Sequence, residues 1–394
     1  MRNNLINNLL NLKGVIVKKV DNKDASFTKF FLETPLSKQI CPCCKTETSR
    51  IKGYHTQVIK DIPLQFKHTY LELKKRRYLC ASCDKSFYEI LDFLPRYARK
   101  TTRVTEYIVD KLRTLSSTKS IAKSANVSPH TVSRMLKYFA VSNSKLPEVL
   151  CIDEFRGNAG HHKFQVAIVD GKNRKIIDVL ECRYKSFLCD YFKKFSLEER
   201  KKVKYFVTDM YEVYRDIAMT YFPNANIIAD KFHYARHICQ VVNNLRIQVQ
   251  KKLPKEERKF FKHSRKLLLS RRQNLKTEEQ RDRLNYILIN FSEDLRIAYR
   301  EKELLLDIIH NTDSERAIFL LEDWIIRNLE SDIESLRECA KMYQRWSLQI
   351  KNSLKALYTN GPVEGLNNKI KVLKRIGFGF RSFPNFKARI LLLD

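Results

Sequence analysis

The chain has 394 residues, 43% of them hydrophobic, and its 75 Lys and Arg outnumber 44 Asp and Glu to give a formal charge of +31. That excess, spread along a chain long enough for roughly two to four folded domains, calls for a polyanionic partner. No apolar run reaches the ~18 residues of a membrane span, and the opening MRNNLINNLLNLKG lacks the apolar core and cleavage site of a secretory signal, so a cytoplasmic, nucleoid-associated protein without membrane contact is expected.

Residues 1–94 read as an amino-terminal module: a short helix, one or two strands, then a cysteine cluster and a basic, β-rich run, KHTYLELKKRRYLC. Five of the ten cysteines fall between Cys41 and Cys83. Cys41 and Cys44 are spaced C-x2-C, and so are Cys80 and Cys83; two such turns bring four thiolates to one tetrahedral Zn2+, a closed and therefore structural site. The ribbon spans about residues 38–90. Cys43 is the odd one out, its side chain expected to point away, although it competes with Cys44 as a ligand. Cys151, Cys182, Cys189, Cys239 and Cys339 lie in apolar contexts and read as small buried hydrophobes. Lys67, Lys74, Lys75, Arg76 and Arg77, with Tyr70 and Tyr78, suit contact with a phosphate backbone.

Residues 95–143 become helical. TRVTEYIVDKLRTL is amphipathic, and SSTKSIAKSANVSPHTVSRMLKYF has the form of a helix-turn-helix. Ile121 and Ala122 anchor its first helix, Asn126 and Val127 make the turn, Ser128 caps the second helix, and Pro129 occupies the first turn, where a missing N–H costs little. Val132, Met135 and Leu136 face inward, leaving His130, Thr131, Ser133, Arg134 and Lys137 for DNA. The same pattern is compatible with an ordinary αα-hairpin.

After the linker VSNSKLPEVL the period changes. EVLCIDEF, KFQVAIVD and RKIIDVLECRY are successive strands, followed by a helix, strand VKYFVTDM, a second helix and strand ANIIAD. Three antiparallel strands and then alternating β and α is the order of a ribonuclease-H-like sheet, here residues 144–240, although other α/β folds share the pattern. Residues 241–350 read as an all-helical insertion, in which Trp324 and Trp346 are core residues. In 251–283, thirteen Lys or Arg stand against five acids. Residues 351–394 would complete the sheet domain.

In the first strand Asp153 faces away from Ile152 and Glu154, and Asp209 ends the fourth, where binding groups gather. Adjacent carboxylates on an apolar sheet repel unless a cation holds them. The third acid is Glu364, the only carboxylate between Lys351 and Arg389, where nine Lys or Arg lie. Pro362 can open a helix there, with Lys369, Lys371, Lys374 and Arg375 left to engage DNA. Asp230, which ends the next strand, is the rival third carboxylate. His233 and His237, four apart, alone permit a zinc reading, but no nearby third ligand supports it.

IDEF, VTDMY, ADKFH and NGPVEGLNNKIKVLKRIGFGFRSFPNFKARILL resemble the DDE transposases of bacterial insertion sequences, in particular the ISL-three family, and the resemblance covers nearly the whole chain. It implies a ribonuclease-H-like core interrupted by the helical insertion and preceded by the zinc ribbon and helix-turn-helix. Asp153, Asp209 and Glu364 would hold two Mg2+ (or Mn2+) ions, Asp230 and His233 would form an auxiliary D-x2-H motif, and a homodimer or higher oligomer would bind terminal inverted repeats and target DNA. A non-catalytic DNA-binding regulator and another ribonuclease-H-like nuclease are the alternatives.

Overall fold

The computed structural model describes residues 10–139, 145–157, 159–310 and 313–393, excluding the side chain of Phe260. Two compact units emerge, one joining Met1–Val141 to Lys369–Asp394, the other being Ser142–Asn368. The short helix expected at the amino terminus falls outside the described residues.

In the first unit the strands are β1 (Ile16–Asp21), β2 (Phe27–Glu33), β3 (Gln39–Ile40), β4 (Glu47–Thr48), β5 (Ile51–Leu64), β6 (Lys67–Leu79) and β7 (Ser86–Tyr88). β1, β2, β6 and β5 pair in that order, β7 continues along β6, and β3–β4 is a separate ribbon. Alternation explains the sheet: Thr28, Phe30 and Leu32 of β2 point one way, and Phe30 and Leu32 bury with Ile59, Leu71 and Leu73. β5 and β6 are joined by Gln65 and Phe66, both at positive φ (49° and 63°), the geometry that matches strand twist in a two-residue hairpin.

Three helices follow, α1 (Thr102–Arg113), α2 (Thr118–Ser124) and α3 (Pro129–Leu136). Their core of Val104, Ile108, Leu112, Ile121, Ala122, Val132 and Leu136 is completed by Ala388 and Leu392 from the other end of the chain. The carboxyl-terminal helix, Phe383–Leu391, also buries Arg389, whose guanidinium donates to the carbonyls of Leu112, Thr114 (3.2 Å) and Ser116 (2.8 Å). Residues 351–394, expected as one piece of the sheet domain, therefore divide. Those through Asn368 belong to the second unit, and the rest close the helical core of the first.

The second unit holds the sheet β8 (Val149–Arg156), β9 (Phe164–Asp170), β10 (Lys175–Leu180), β11 (Tyr205–Thr208) and β12 (Asn226–Ala229). Its order is β10-β9-β8-β11-β12; β8–β10 are antiparallel, whereas β8, β11 and β12 are parallel. β9 is buried almost throughout, as the apolar run from Val166 to Val169 demands of a sheet covered on both faces. Helices α4 (Lys185–Phe192) and α6 (Glu212–Tyr221) cover one face through Leu188, Phe192, Tyr214 and Ile217 against Leu150, Ile152, Val166 and Phe206. A short helix that periodicity passes over, α5 (Leu197–Lys201), is capped by Ser196, which accepts from Glu199 N–H.

The helical part comprises α7 (Lys231–Lys252), α8 (Lys255–His263), α9 (Arg265–Leu269), α10 (Glu278–Asn290), α11 (Glu293–Ile309), α12 (Ser314–Leu329), α13 (Glu334–Arg345) and α14 (Ser347–Lys355), and α15 (Gly361–Ile376) follows. Trp324 and Trp346 are buried in its core, with Trp324 Nε1 donating to Glu301 O at 3.2 Å. Asn352 Nδ2 donates to Ile227 O (2.9 Å), and the Tyr234 and Ser353 hydroxyls lie 3.2 Å apart. These bonds tie α14 to β12 and α7, and so fix where residues 359–367 begin. No helix among the described residues is long and apolar enough to cross a membrane.

Candidate active site and nucleic-acid interface

Parallel register sets three acids in a row. Cys151 lies beside Val207, and Val207 beside Ile228. Two residues further on come Asp153, Asp209 and Asp230, the last two each directly following its strand. Asp230 N–H donates to Thr208 O at 2.9 Å, which holds the two strand ends together. Residues of one row share a face, here the one opposite Leu150, Ile152 and Phe206. Glu154 points the other way and pairs with Arg183 at 2.5 Å.

The segment Thr359–Asn367 folds over this row. Asn360 N–H donates to Asp230 Oδ1 (3.1 Å) and Asn360 Nδ2 to Ile152 O (3.4 Å), while Asn367 Nδ2 donates to Asp153 Oδ2 (3.0 Å). Glu364 sits one turn before Asn367 on α15, exposed, and with Asp153, Asp230, His233 and Asn360 it lines a cleft of about 300 Å3. Asp209 does not line that cleft but acts on it electrostatically. Burial first, and then the charge of Asp209, push the Asp153 carboxyl up to about 7. Burial also raises Asp209, where His233 opposes the shift and Glu154 adds to it. Asp230 is raised by burial against the Asn360 N–H and His233, with Glu364 adding its charge. His233 lines the cleft with Asp153 and Asp230, and its backbone N–H donates to Asp230 O (3.1 Å). The acids are not drawn tightly together. Among the described residues only Cys41, Cys44, Cys80 and Cys83 form a group of three or more ligating side chains within 4.8 Å of one another. His233 and His237 gather no such third ligand.

Asn360 and Asn367 were not anticipated from the sequence. Both are buried, and the Oδ1 of each has no hydrogen-bond partner among the described residues. Their one sequence trace is spacing: Asn367 follows Glu364 by three, which sets both on one helix face.

At the other site, Cys41 Sγ lies 3.6 Å from Cys83 Sγ, and Cys44 Sγ lies 3.4 Å from Cys80 Sγ. A tetrahedron of thiolates around zinc has edges of ~3.8 Å, given Zn–S bonds of ~2.3 Å, so the four sulfurs fit that ion. The two knuckles share one geometry. Cys41 O accepts from Lys45 N–H and Cys80 O from Asp84 N–H, and both Lys45 (φ 62°) and Asp84 (φ 50°) are left-handed. Cys43 is exposed and outside the group.

The helix-turn-helix has its expected parts. Asn126 turns the chain at φ 52°, and its Nδ2 donates to Tyr70 OH (2.8 Å); Ser128 accepts from Thr131 N–H. His130, Arg134 and Lys137 are exposed, Thr131 is half-buried, and Ser133 lines a cleft shared with the carboxyl-terminal segment. The basic run on β6 is less uniform than its sequence. Alternation puts Lys74 and Arg76 on one face, and Lys75 and Arg77 on the other. Arg76 turns inward, donating to Thr34 O (2.8 Å) and Pro35 O (3.2 Å) beside Glu89, and Tyr78 is fully buried. Both therefore act in the fold and leave the phosphate-contact set. Lys74 pairs with Glu33 and Lys75 is half-buried, whereas Arg77 is exposed. On α15, Lys369, Lys371 and Arg375 are exposed and Lys374 is half-buried.

Three family profiles match. A transposase profile of the ISL3 group covers residues 150–390, the zinc-finger of transposase IS204/IS1001/IS1096/IS1165 covers 37–83, and the helix-turn-helix domain of transposase family ISL3 covers 89–140. The transposase for insertion sequence element IS1001 of Bordetella parapertussis is 25% identical over 368 residues, 91% of this chain and 90% of that protein. A Lactococcus lactis subsp. lactis protein named as an ATP-dependent protease is 40% identical over 105 residues, 27% of this chain and 32% of its own length. With the zinc-ribbon and helix-turn-helix domains marking it as DNA-binding, the chain belongs to the ISL3 family of transposases.

Proposed function

We propose that this transposase binds the terminal inverted repeats of its insertion sequence, cuts at their ends and joins the freed 3′ ends to target DNA. The observation that carries this reading is the row of Asp153 and Asp209, with Glu364 brought to it by the bond from Asn367 to Asp153. The strand order β10-β9-β8-β11-β12 supports a ribonuclease-H-like core, with α7–α14 as its helical insertion.

Asp153, Asp209 and Glu364 are the residues that would hold two Mg2+ or Mn2+ ions. Carboxylate oxygens suit a hard divalent cation, and burial first, with the charge of Asp209 second, lifts Asp153 to about 7, a cost that such a cation would offset. Bound there, the ions would supply a nucleophile from water at neutral pH and neutralise charge on the leaving 3′ oxygen. The protein's part is placement. Asn367 Nδ2 donates to Asp153 Oδ2 and the Glu154 N–H to its Oδ1 (2.7 Å), so both oxygens are oriented while each keeps a lone pair for a cation, and Asn360 holds Asp230. Lys369, Lys371 and Arg375, exposed on α15, would supply cationic contacts to phosphates. Two ends processed together call for at least a homodimer.

Asp209→Asn and Glu364→Gln should each lower end cleavage and strand transfer by more than about 100-fold, because ligands of one site act as a unit. DNA binding in a gel shift should survive. Wild-type cleavage by either variant would refute the assignment. A second reading makes Asp230 the third carboxylate, since it shares the row with the other two. Its Oδ1 already accepts from Asn360, which favours Glu364; comparing Asp230→Asn with Glu364→Gln for Mg2+ affinity separates them.

A further inference from the structure

The loop after α15 holds an aromatic ring in water. Phe378 is 98% exposed and left-handed (φ 51°), between Gly377 and Gly379 (φ 88°). A left-handed backbone is unfavourable for a non-glycine residue, so something must hold it. Gly377 N–H donates to Leu373 O (3.0 Å), Phe378 N–H to Arg375 O (3.1 Å) and Gly379 N–H to Lys374 O (2.9 Å). Phe380 stacks on Phe386 with centroids 4.7 Å apart. A Cβ on Gly377 would lie 3.0 Å from the Phe380 ring and 3.3 Å from Leu373 O, so a side chain there would press on both. The loop is therefore built, and what it presents is Phe378.

Its surroundings name the partner. The loop and α3 line one cleft of about 510 Å3, with Pro129 and Ser133 on the helix side and Phe378 and Arg381 on the loop side. Arg375 and Arg381 are exposed nearby, and no Asp or Glu occurs between Glu364 and Asp394. A second copy would bring the same positive charge to this surface and be repelled, whereas duplex DNA supplies both phosphates and stacked bases.

We infer that Phe378 is a wedge that enters a base step next to the site read by α3, with Arg381 seated on the flanking phosphate. Apolar side chains inserted this way unstack and kink duplexes. The inference goes beyond the catalytic reading and does not depend on it.

The test uses the full-length chain and a duplex selected by that chain from a random-sequence pool, with 2-aminopurine at successive positions and no added Mg2+. Wild type should brighten the probe at one step. Phe378→Ala should abolish that signal and weaken binding roughly tenfold, while Phe378→Trp keeps it. Arg381→Ala should weaken binding and flatten its salt dependence but leave the unstacking step in place. Melting temperatures should not move with Phe378, given its exposure. Unchanged brightening and affinity in Phe378→Ala would overturn the proposal. So would wild type that brightens no position, or a Phe378→Ala chain that only shifts from oligomer to monomer without DNA.

Discussion

Asp153 is half-buried on an apolar sheet, and that loss of solvent, with the charge of Asp209, lifts its carboxyl to about 7. An unfolded aspartate ionises near ~4, so between those values the fold takes up a proton that the unfolded chain has released. With no divalent metal added, stability from this group is complete below ~pH 4 and is lost as pH rises through 7. Asp153→Asn should therefore melt higher than wild type at pH 8, with the gap closing as pH falls from 7 toward 4. Mg2+ should raise the pH 8 melting temperature of wild type and not of the variant. Equal pH profiles for the two chains would show that Asp153 carries no such load. The sequence pointed to Asp153 and Asp209 because an acid within, or just past, an apolar strand is conspicuous. It did not disclose Asn360 or Asn367, since amides are common at helix starts and on helix surfaces and only the fold brings them to the acids. Arg76 and Tyr78 were misleading for a related reason. A basic strand shows which residues alternate, but the inward turn of Arg76 depends on Thr34, far away in sequence, and on Glu89 beyond the second cysteine pair.

At the scale of elements, the cysteine spacing was the clearest text in the chain. The 35 residues between Cys44 and Cys80 exceed the usual gap because the β5–β6 hairpin occupies them. The first knuckle lies between the two-residue strands β3 and β4, and the second is followed by the three-residue β7; such small elements lack the apolar area to hold themselves. Zinc should supply what they lack. One zinc per chain is expected by metal analysis. Cys83→Ala should lose it and Cys43→Ala should keep it. Hydrogen exchange should then show β3, β4 and β7 opening in Cys83→Ala while β8–β12 stay protected. Zinc retained in Cys83→Ala would contradict the four-thiolate assignment. Periodicity also located the long strands and helices of the second unit. It missed α5, whose five residues are too few to show a period and whose only trace is the Ser196–Glu199 cap.

The whole chain is threaded so that its last helix completes a domain begun near its start. Sequence patterning gives Phe383–Leu391 an apolar face but cannot name the surface that face will cover, so the segment read as the end of the sheet domain. In the fold, Ala388 and Leu392 enter the core of α1–α3, and buried Arg389 satisfies three carbonyls at the end of α1 and in the turn after it. Burial holds the guanidinium down at about 10, still charged at neutral pH. Hydrogen bonds from a charged donor contribute about 1.5–3 kcal/mol each at most, and truncation leaves the carbonyls unpaired. Arg389→Ala should therefore cost the first unit about 2–4 kcal/mol, within the range for a broken buried network. The functional consequence is specific. A chain ending at Pro384 retains Asp153, Asp209, Glu364 and every residue of the helix-turn-helix, yet it should lose DNA binding because that reader no longer has a closed core. Calorimetry should show the transition of the second unit surviving, and a peptide of residues 369–394 added in excess should restore binding in part. Wild-type affinity in the truncated chain would mean that α1–α3 stand alone and that the carboxyl-terminal helix serves some other end.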